Sequence, residues 1–341
     1  MLDILKELCA LRGVSGDEDE VRRYITGYSK QHADEVIVDV MGNVIVYKKG
    51  AKAPTERLVL CAHMDEVGLI VTSVTDDGYL KFAMVGSIDN RIIIGKAILL
   101  GEQRIPGVIG CKAIHLVKEK DREKPMEVDE MYIDIGAKDR DAAEKLIALG
   151  DTGAFESDIQ EFGDGYIKAK AIDDRLGCAI LLELIGTDLP IDCLFVFTVQ
   201  EEVGLRGAYT AAYRTAPDMA LIIEGTTAAD LPSSPENKKV CKVGDGVVIP
   251  FMDAGMIYNK ELRGVLTKVA EKNNIPWQTK TYIAGATDGS VFQKIRSGIK
   301  TVGIAAPIRN LHSPSNVGKY SDMEAVYELT RLFLEELGFK S

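Results

Sequence analysis

The chain has 341 residues, which is long enough to bury a large core and predicts two domains or one domain with an insertion. Hydrophobic residues make up 46% and charged residues 27%, as is usual for a globular protein. The formal net charge of −11 argues against nucleic acid or an anionic membrane as a partner, because like charges repel.

Cysteine usage and the N-terminus predict a cytoplasmic location. The six cysteines are scattered and include no Cys-x-x-Cys pair, so neither a zinc ribbon nor a redox motif is indicated. Free thiols in a reducing cytosol account for them. The first residues mix charges into an amphipathic helix pattern instead of a signal sequence, and no apolar run approaches membrane-spanning length.

The first 66 residues predict the beginning of an α/β domain. Ser15 and Glu18 match a capping box, and apolar residues follow at helical spacing. Apolar runs at 36–40 and 44–47 flank a glycine turn and predict a hairpin. Residues 58–62 predict a short buried strand.

Residues 67–163 show a different pattern and predict a small, separate β-rich unit. Short strand-like runs alternate with glycine and charged turns, at 69–74, 92–100, 105–109 and 131–135. A helical pattern is weak until 141–148. We expect the edges of these strands to be exposed and to need partners or cover.

Residues 164–341 return to the α/β pattern. Helices are predicted after Asp174, at 259–272 and from a second capping box at Ser321, with strands at 194–199, 221–223 and 301–304. The simplest architecture is one α/β domain formed by 1–66 and 164–341, interrupted by the β-rich insertion at 67–163.

Carboxylates and histidines follow the predicted strands and loops of the α/β part. The residues that share this placement are His63, Asp65, Asp173, Asp174, Glu201, Glu202, Glu224 and His312. Each has an ordinary explanation: a solvated strand end accounts for paired glutamates, and an N-cap accounts for one aspartate before a helix. Because one aspartate suffices for a cap, the second of the Asp173–Asp174 pair is left over.

Together these side chains predict a metal centre. Nitrogen and oxygen donors suit zinc, cobalt or manganese, and five or more of them can hold two ions bridged by one carboxylate. Such a pair activates water and stabilises a tetrahedral oxyanion. Of two adjacent glutamates, one can bind metal while its neighbour remains free as a general base.

The order of the motifs resembles the M42 family of metallo-aminopeptidases, the glutamyl and deblocking aminopeptidase group that includes the tetrahedral peptidases. The motifs that carry the resemblance span nearly the whole chain: CAHMDEVG (61–68), GDTGAF (150–155), AIDDRLGCA (171–179), QEEVGLRGA (200–208), EGTTAAD (224–230), GATDGSVF (285–292) and IRNLHSPSN (308–316). The resemblance implies an α/β fold, a mixed-sheet di-zinc exopeptidase domain with helices on both faces, interrupted by a small β-barrel-like insertion domain.

The same resemblance implies roles for single residues. His63 and Glu224 would bind one ion, Glu202 and His312 the other, and Asp173 would bridge the two. Glu201 would be the general base, Asp65 would orient His63, and the Asp173–Asp174 peptide bond would be cis. Many relatives have the shorter aspartate where this chain has Glu224, and the extra methylene changes the reach of that ligand.

The implied activity is hydrolysis of the N-terminal peptide bond of short peptides by a homo-oligomer, a dodecamer or alternatively a dimer. The implied cofactors are two divalent ions per subunit, zinc or cobalt, with manganese as the alternative. An M20-type di-zinc carboxypeptidase or deacylase is the rival interpretation, but its extra domain follows the position equivalent to Glu224. A non-catalytic assembly protein of the same fold is the other alternative. The preferred N-terminal residue stays open.

Overall fold

A mixed sheet of eight strands forms the centre of the α/β part. The computed structural model describes residues 1–119 and 123–340. In spatial order the strands of this sheet are β1 (Glu35–Val38), β2 (Val44–Lys48), β12 (Cys193–Thr198), β3 (Leu58–His63), β13 (Met219–Thr227), β16 (Lys300–Ile308), β14 (Val247–Val248) and β15 (Trp277–Gln278). Strands β12, β3, β13 and β16 are mutually parallel, so their carboxyl ends lie at one edge.

Helices cover both faces of this sheet. They are α1 (Leu2–Ala10), α2 (Asp19–His32), α4 (Ile172–Ile185), α5 (Arg206–Thr215), α6 (Lys260–Lys272), α7 (Gly289–Phe292) and α8 (Tyr320–Lys340). Leu60 of β3 packs in the core with α1, α2, α4, α6 and α8, whereas its neighbour Cys61 packs with α5 and α7. Successive side chains of a strand point to opposite faces, which explains the apolar run of β3. The predicted fold class is confirmed.

A closed barrel lies between β3 and α4 in the chain. Its strands are β4 (Gly68–Val74), β5 (Leu80–Val85), β6 (Ala97–Leu100), β7 (Ile105–Gly110), β8 (Tyr132–Asp134) and β9 (Thr152–Phe155), paired around the barrel in the order β4-β5-β8-β7-β6-β9. The short helix α3 (Arg140–Glu144) packs beside it. The expectation of exposed strand edges is wrong, because closure pairs both edges of the sheet.

A third sheet joins the end of the predicted insertion to the α/β part. It contains β10 (Gln160–Phe162), β11 (Tyr166–Ala169) and β17 (Asn316–Lys319). The boundaries at 67 and 163 stay a prediction. Within the described residues, no helix is long and apolar enough to cross a membrane.

Some local predictions were wrong because tertiary contacts decide them. Helix α2 begins at Asp19 after Glu18, and the Ser15 hydroxyl donates to Asp65 instead of capping. Helix α8 begins at Tyr320, so the second capping box lies inside it. Strands β5 and β9 were missed, and only the end of the predicted 92–100 strand forms. The hydrogen-bond and pairing partners of a residue depend on the tertiary fold, and the local spacing of residue types does not show them.

A buried ionic network ties together the segments that carry the site. Glu66, directly after Asp65, accepts from Lys170 Nζ at 2.6 Å and from Arg175 Nη2 at 3.3 Å. Lys170 also donates to the carbonyl of Leu11, and burial lowers its pKa. All three charged side chains are buried. The network holds the loop after β3 against the beginning of α4.

Candidate active site

The predicted site residues meet at the carboxyl edge of the parallel strands. His63 is the last residue of β3, Glu224 lies in β13, and Glu201 and Glu202 follow the end of β12. Asp173 comes from the beginning of α4, and His312 from the loop between β16 and β17. The strands are parallel, so elements that are far apart in sequence deliver their polar ends to one place.

His63 is surrounded by carboxylates. Its Nε2 lies 3.5 Å from Asp173 Oδ1, 3.6 Å from Glu224 Oε2 and 3.9 Å from Glu201 Oε2. Its Nδ1 faces Asp65, 3.2 Å from the backbone oxygen and 3.5 Å from Oδ1. The ring is 1% exposed. With acceptors at Nδ1, the proton is favoured there, and Nε2 keeps a lone pair for a ligand.

His312 takes a matching position on the other side of Asp173. Its Nε2 lies 3.2 Å from Glu202 Oε2 and 3.7 Å from Asp173 Oδ2. Its Nδ1 lies 2.9 Å from the carbonyl oxygen of Ser87, in the segment that connects β5 and β6 of the barrel. The two oxygens of Asp173 therefore face one histidine each.

The two adjacent aspartates have different surroundings. The Asp174 carboxylate accepts the backbone N–H of Gly177 at 2.9 Å and that of His63 at 3.3 Å, so Asp174 caps the continuing helix. Asp173 is the carboxylate left over, and it faces the histidines. The peptide bond between them is cis, as the resemblance implied.

Asp65 organises the turn that carries the paired glutamates. Its carboxylate accepts the backbone N–H groups of Glu201 at 3.0 Å and Glu202 at 3.1 Å, and the hydroxyl of Ser15 at 2.6 Å. It also faces His63, so one buried side chain orients a histidine and both glutamates. The sequence predicted the contact to His63 but not the other contacts.

Burial and crowding oppose full ionisation of the cluster. Burial raises the pKa of Glu202 to about 7 and the pKa values of Glu201 and Glu224 well above their usual range, and neighbouring carboxylates add to this. Burial also opposes ionisation of Asp173, but the imidazoles of His312 and His63 hold its pKa low. A divalent cation would offset this crowding.

The donor atoms fit such a cation. Ligand atoms of His63, Asp173 and Glu202 lie within 4.8 Å of one another, as do those of His63, Asp174 and Glu224. Across residues 1–119 and 123–340, Asp173 Oδ1 and Glu224 Oε1 are buried without a hydrogen-bond partner. Unpaired buried carboxylate oxygens are expensive unless a cation binds them. Buried nitrogen and oxygen donors suit zinc and similar ions.

A cleft of about 430 Å³ opens onto the cluster. The site residues that line it are His63, Asp173, Glu201, Glu202, Glu224 and His312, whereas Asp65 lies behind them. The cleft is large enough for a few residues of peptide.

Sequence reasoning missed several side chains near the site. Asp288 is buried and accepts from the hydroxyl of Thr198 at 2.5 Å, and burial raises its pKa to about 6. Glu18 accepts the backbone N–H of Gln200 at 3.2 Å, next to Glu201. Lys280 lines the cleft. Asp288 lies in a motif that had been recognised, Glu18 had been assigned only to a capping box, and Lys280 carries no local signal.

A mixed α/β sheet with a cluster of histidines and carboxylates at its carboxyl edge is an arrangement that can bind a metal ion. Residues 42–329 match the M42 glutamyl aminopeptidase family, and the chain belongs to this family. The family is metal-dependent, and the chain is a peptidase, which makes it a hydrolase. Neither the M20-type interpretation nor the non-catalytic one is supported.

The relatives extend the comparison over nearly the whole chain. A protein of Acetivibrio thermocellus, provisionally named an aminopeptidase, is 38% identical, covering 96% of this chain and 97% of its own. The lysyl aminopeptidase of Pyrococcus furiosus is 32% identical, covering 98% and 97%. The TET1 peptidase of Pyrococcus horikoshii is 33% identical, with a TM-score of 0.87 and 98% coverage of both chains. Its solved structure is described as one that can assemble into a tetrahedron or a large octahedral shell.

The contact between Gly177 and Asp174 predicts an intolerant position. A Cβ added at Gly177 would lie 2.4 Å from Asp174 Oδ2. We expect Gly177→Ala to lower the free energy of unfolding by about 1–3 kcal/mol, because overpacking displaces the capping carboxylate. Peptidase activity should also fall, because a displaced Asp174 would shift Asp173, the residue that precedes it in the chain.

Gly264→Ala is the matched control, because no heavy atom lies within 4 Å of the added Cβ in α6. It should stabilise the protein by roughly 0.5–1 kcal/mol through helix propensity. Denaturant unfolding and peptide hydrolysis measure both variants. Equal behaviour of the two variants would contradict the role assigned to Gly177.

Proposed function

We propose that the cluster holds two divalent cations and that the protein removes the N-terminal residue of short peptides, with Glu201 as general base. The observation that carries the proposal is the position of Asp173, whose two oxygens face His63 and His312 separately. A carboxylate between two histidines has the arrangement of a bridging ligand. The unpartnered oxygens of Asp173 and Glu224, already described, add support.

Each cation would have its own histidine and glutamate. His63 and Glu224 would hold one, His312 and Glu202 the other, with Asp173 between them and zinc or cobalt favoured over manganese. Glu224 is one methylene longer than the aspartate of many relatives, and its Oε2 lies 3.6 Å from His63 Nε2. Bound cations would supply Lewis-acid charge that polarises a peptide carbonyl and eases deprotonation of water.

Glu201 is suited to move the proton. It lines the cleft and lies farther from His63 than Asp173 or Glu224 does, at 3.9 Å. Its carboxylate can therefore accept a proton from the attacking water and deliver it to the leaving amine. Asp65 holds its backbone in place.

Metal removal tests the cofactor. Treatment with a chelator should abolish cleavage of leucine and glutamate nitroanilides, and added cobalt or zinc should restore it. Bound ion should also stabilise the fold by about 2.7 kcal/mol when free metal is about 100-fold above its Kd. Activity that is indifferent to chelation, or cleavage only of N-blocked or C-terminal bonds, would refute the proposal.

The adjacent glutamates should fail differently when each is replaced by its amide. Glu201→Gln removes the proton acceptor and should lower turnover by ~10²–10⁴-fold with metal content unchanged. Glu202→Gln replaces a carboxylate 3.2 Å from His312 Nε2 with a poor ligand. It should lose one metal equivalent and recover partly in excess metal.

Turnover and metal content measured on both variants decide the assignment. Loss of metal in Glu201→Gln with retention in Glu202→Gln would reverse the two roles. Full activity of both variants would place the chemistry elsewhere in the protein.

We also propose that the chain forms a homo-oligomer, a dodecamer, with residues 67–163 contributing to contacts. A solved structure that is 33% identical to this chain, with a TM-score of 0.86, is described as a dodecamer, and this supports the proposal. On the barrel side, Val108, Ile114 and Leu116 are 50%, 65% and 58% exposed, and exposed apolar groups favour an interface.

Light scattering on a sizing column tests the assembly. A mass well above the 37.2 kDa of one chain is expected at micromolar concentration. Ile114→Lys combined with Leu116→Lys should lower this mass without unfolding the chain, because both side chains are exposed. A wild-type monomer would overturn the proposal.

A cytoplasmic location remains part of the proposal. The six cysteines are free, and five of them are buried. Unpaired buried thiols are typical of proteins that work in a reducing compartment.

A further inference from the structure

Asn316 is a buried asparagine that lies beside the candidate metal ligands. It is the first residue of β17 and is 2% exposed. Together with Asp173, Glu202 and His312 it lines a small cavity next to the cleft. Among the described residues, those that line the cleft itself do not include Asn316. Asn316 is therefore close to the ligands but out of reach of a substrate in the cleft.

The amide nitrogen of Asn316 holds the loop that carries His312. Its Nδ2 donates to the carbonyl of Asn310 at 2.9 Å and to the carbonyl of Ser313 at 3.2 Å. These two carbonyls lie on either side of His312 in the chain. His312 has a φ of 54°, in the left-handed region that residues other than glycine seldom adopt. A loop with this backbone needs contacts from outside to keep its shape.

The amide oxygen of Asn316 holds the segment that carries Asp173. Its Oδ1 accepts the backbone N–H of Ile172 at 3.1 Å. Ile172 is the first residue of α4, and the N–H groups of a first helical turn have no partner within the helix. The preceding Ala171 has no side chain that could cap the helix. Asn316 supplies this acceptor from 144 positions away in the chain.

The three hydrogen bonds use both donors of the amide and its oxygen, and they fix its orientation. An asparagine side chain has two N–H donors and one carbonyl oxygen. Turning the amide over would place Oδ1 against two carbonyl oxygens and Nδ2 against an N–H group, so only the observed orientation satisfies the contacts. One planar group therefore sets how far the loop of His312 lies from the beginning of α4.

We propose that Asn316 is a positioning residue that places His312 relative to Asp173 and so sets the affinity for the cation held by His312, Glu202 and Asp173. The inference rests on the proposed function, which assigns one of two cations to these side chains. The Nε2 of His312 lies 3.7 Å from Asp173 Oδ2, and Asn316 contacts the segments that carry both residues. Outer partners of this kind orient the ligands of a metal ion and raise its affinity.

The other cation should depend less on Asn316. Its ligands His63 and Glu224 are members of β3 and β13, and both residues pair with a neighbouring parallel strand. Strand pairing holds these two ligands whatever residue stands at position 316. His312 instead lies in the loop between β16 and β17. The expected effect of a substitution is therefore larger for the cation at His312.

Support of the fold alone is the competing explanation for Asn316. A buried asparagine that joins two segments stabilises the fold whatever those segments carry. The two explanations differ in metal binding. Loss of stability alone lowers the melting temperature of the metal-free protein and leaves the affinity of the folded protein for both cations unchanged. Loss of positioning also weakens one of the two cations.

The experiment titrates zinc into metal-free wild type, Asn316→Ala and Asn316→Asp by calorimetry, at a temperature where each is folded. Asn316→Ala removes all three hydrogen bonds. Asn316→Asp keeps an acceptor for Ile172 but places an oxygen where Nδ2 donates, so it repels the carbonyls of Asn310 and Ser313. Both variants should bind one cation with a Kd ~10–100-fold above the wild-type value, as is usual when an outer partner of a ligand is lost. The Kd of the other cation should change less.

Asn259→Ala is the matched control. Asn259 accepts the backbone N–H of Leu262 at the beginning of α6, so this variant also removes a side-chain hydrogen bond from the first turn of a helix. Asn259 is half-buried, and the described residues that line the cleft and the small cavity do not include it. The variant should lower the melting temperature of the metal-free protein and leave both Kd values at those of wild type.

The outcomes separate this inference from the proposed function. A wild type that binds fewer than two cations contradicts the proposed function and the inference with it. A wild type that binds two, with both Kd values unchanged in Asn316→Ala and Asn316→Asp, overturns only the role of Asn316. An equal rise of both Kd values in these variants, or the same rise in Asn259→Ala, would overturn it too. If Asn316→Ala does not fold, Asn316→Asp decides the question, because it keeps the hydrogen bond to Ile172.

Discussion

Carboxylates crowded around the buried His63 and the half-buried His312 are the constraint on which the rest of the molecule depends. Burial and mutual repulsion raise the pKa values of Glu201, Glu202 and Glu224, so the cluster is costly without a compensating cation. The parallel strands bring the groups to one edge, and Asp65 fixes the turn after β12 through two backbone hydrogen bonds. These strand pairings and hydrogen bonds keep the groups together against their repulsion.

The barrel contacts the site directly and helps to position one of its histidines. The carbonyl of Ser87, in the connection between two barrel strands, accepts from Nδ1 of His312 and so orients Nε2 towards Asp173. Thr152 of the barrel donates to Asp17 of the α/β part. The buried Glu66–Lys170 pair, at the point where the chain leaves β3 for the barrel, fixes that connection from the other side. The barrel and the geometry of the site are therefore linked by short covalent and hydrogen-bonded paths.

Much of the fold was predictable because buried parallel strands produce apolar runs that end abruptly. The strands at 58–62, 194–199, 221–223 and 301–304 were all found, since each is buried on both faces. Barrel strand β5 was missed because buried and half-buried residues mix along it, and β9 was missed because it has four residues and contains a glycine. Their stability comes from pairing with partners far along the chain, as in β9 with β4, and no local pattern encodes that pairing.

The sequence by itself determined the family and the inventory of carboxylates and histidines, because strand ends in a parallel sheet must converge. The resemblance implied a bridging role for Asp173, but the sequence did not show which groups Asp174 contacts. The tertiary structure shows that the Asp174 carboxylate accepts the backbone N–H groups of Gly177 and His63. Only the tertiary structure showed Ser15 as a partner of Asp65 and Lys280 as the cation of the cleft. Hydrogen bonds and cavities join residues that are far apart in the chain, and such distances exist only after folding.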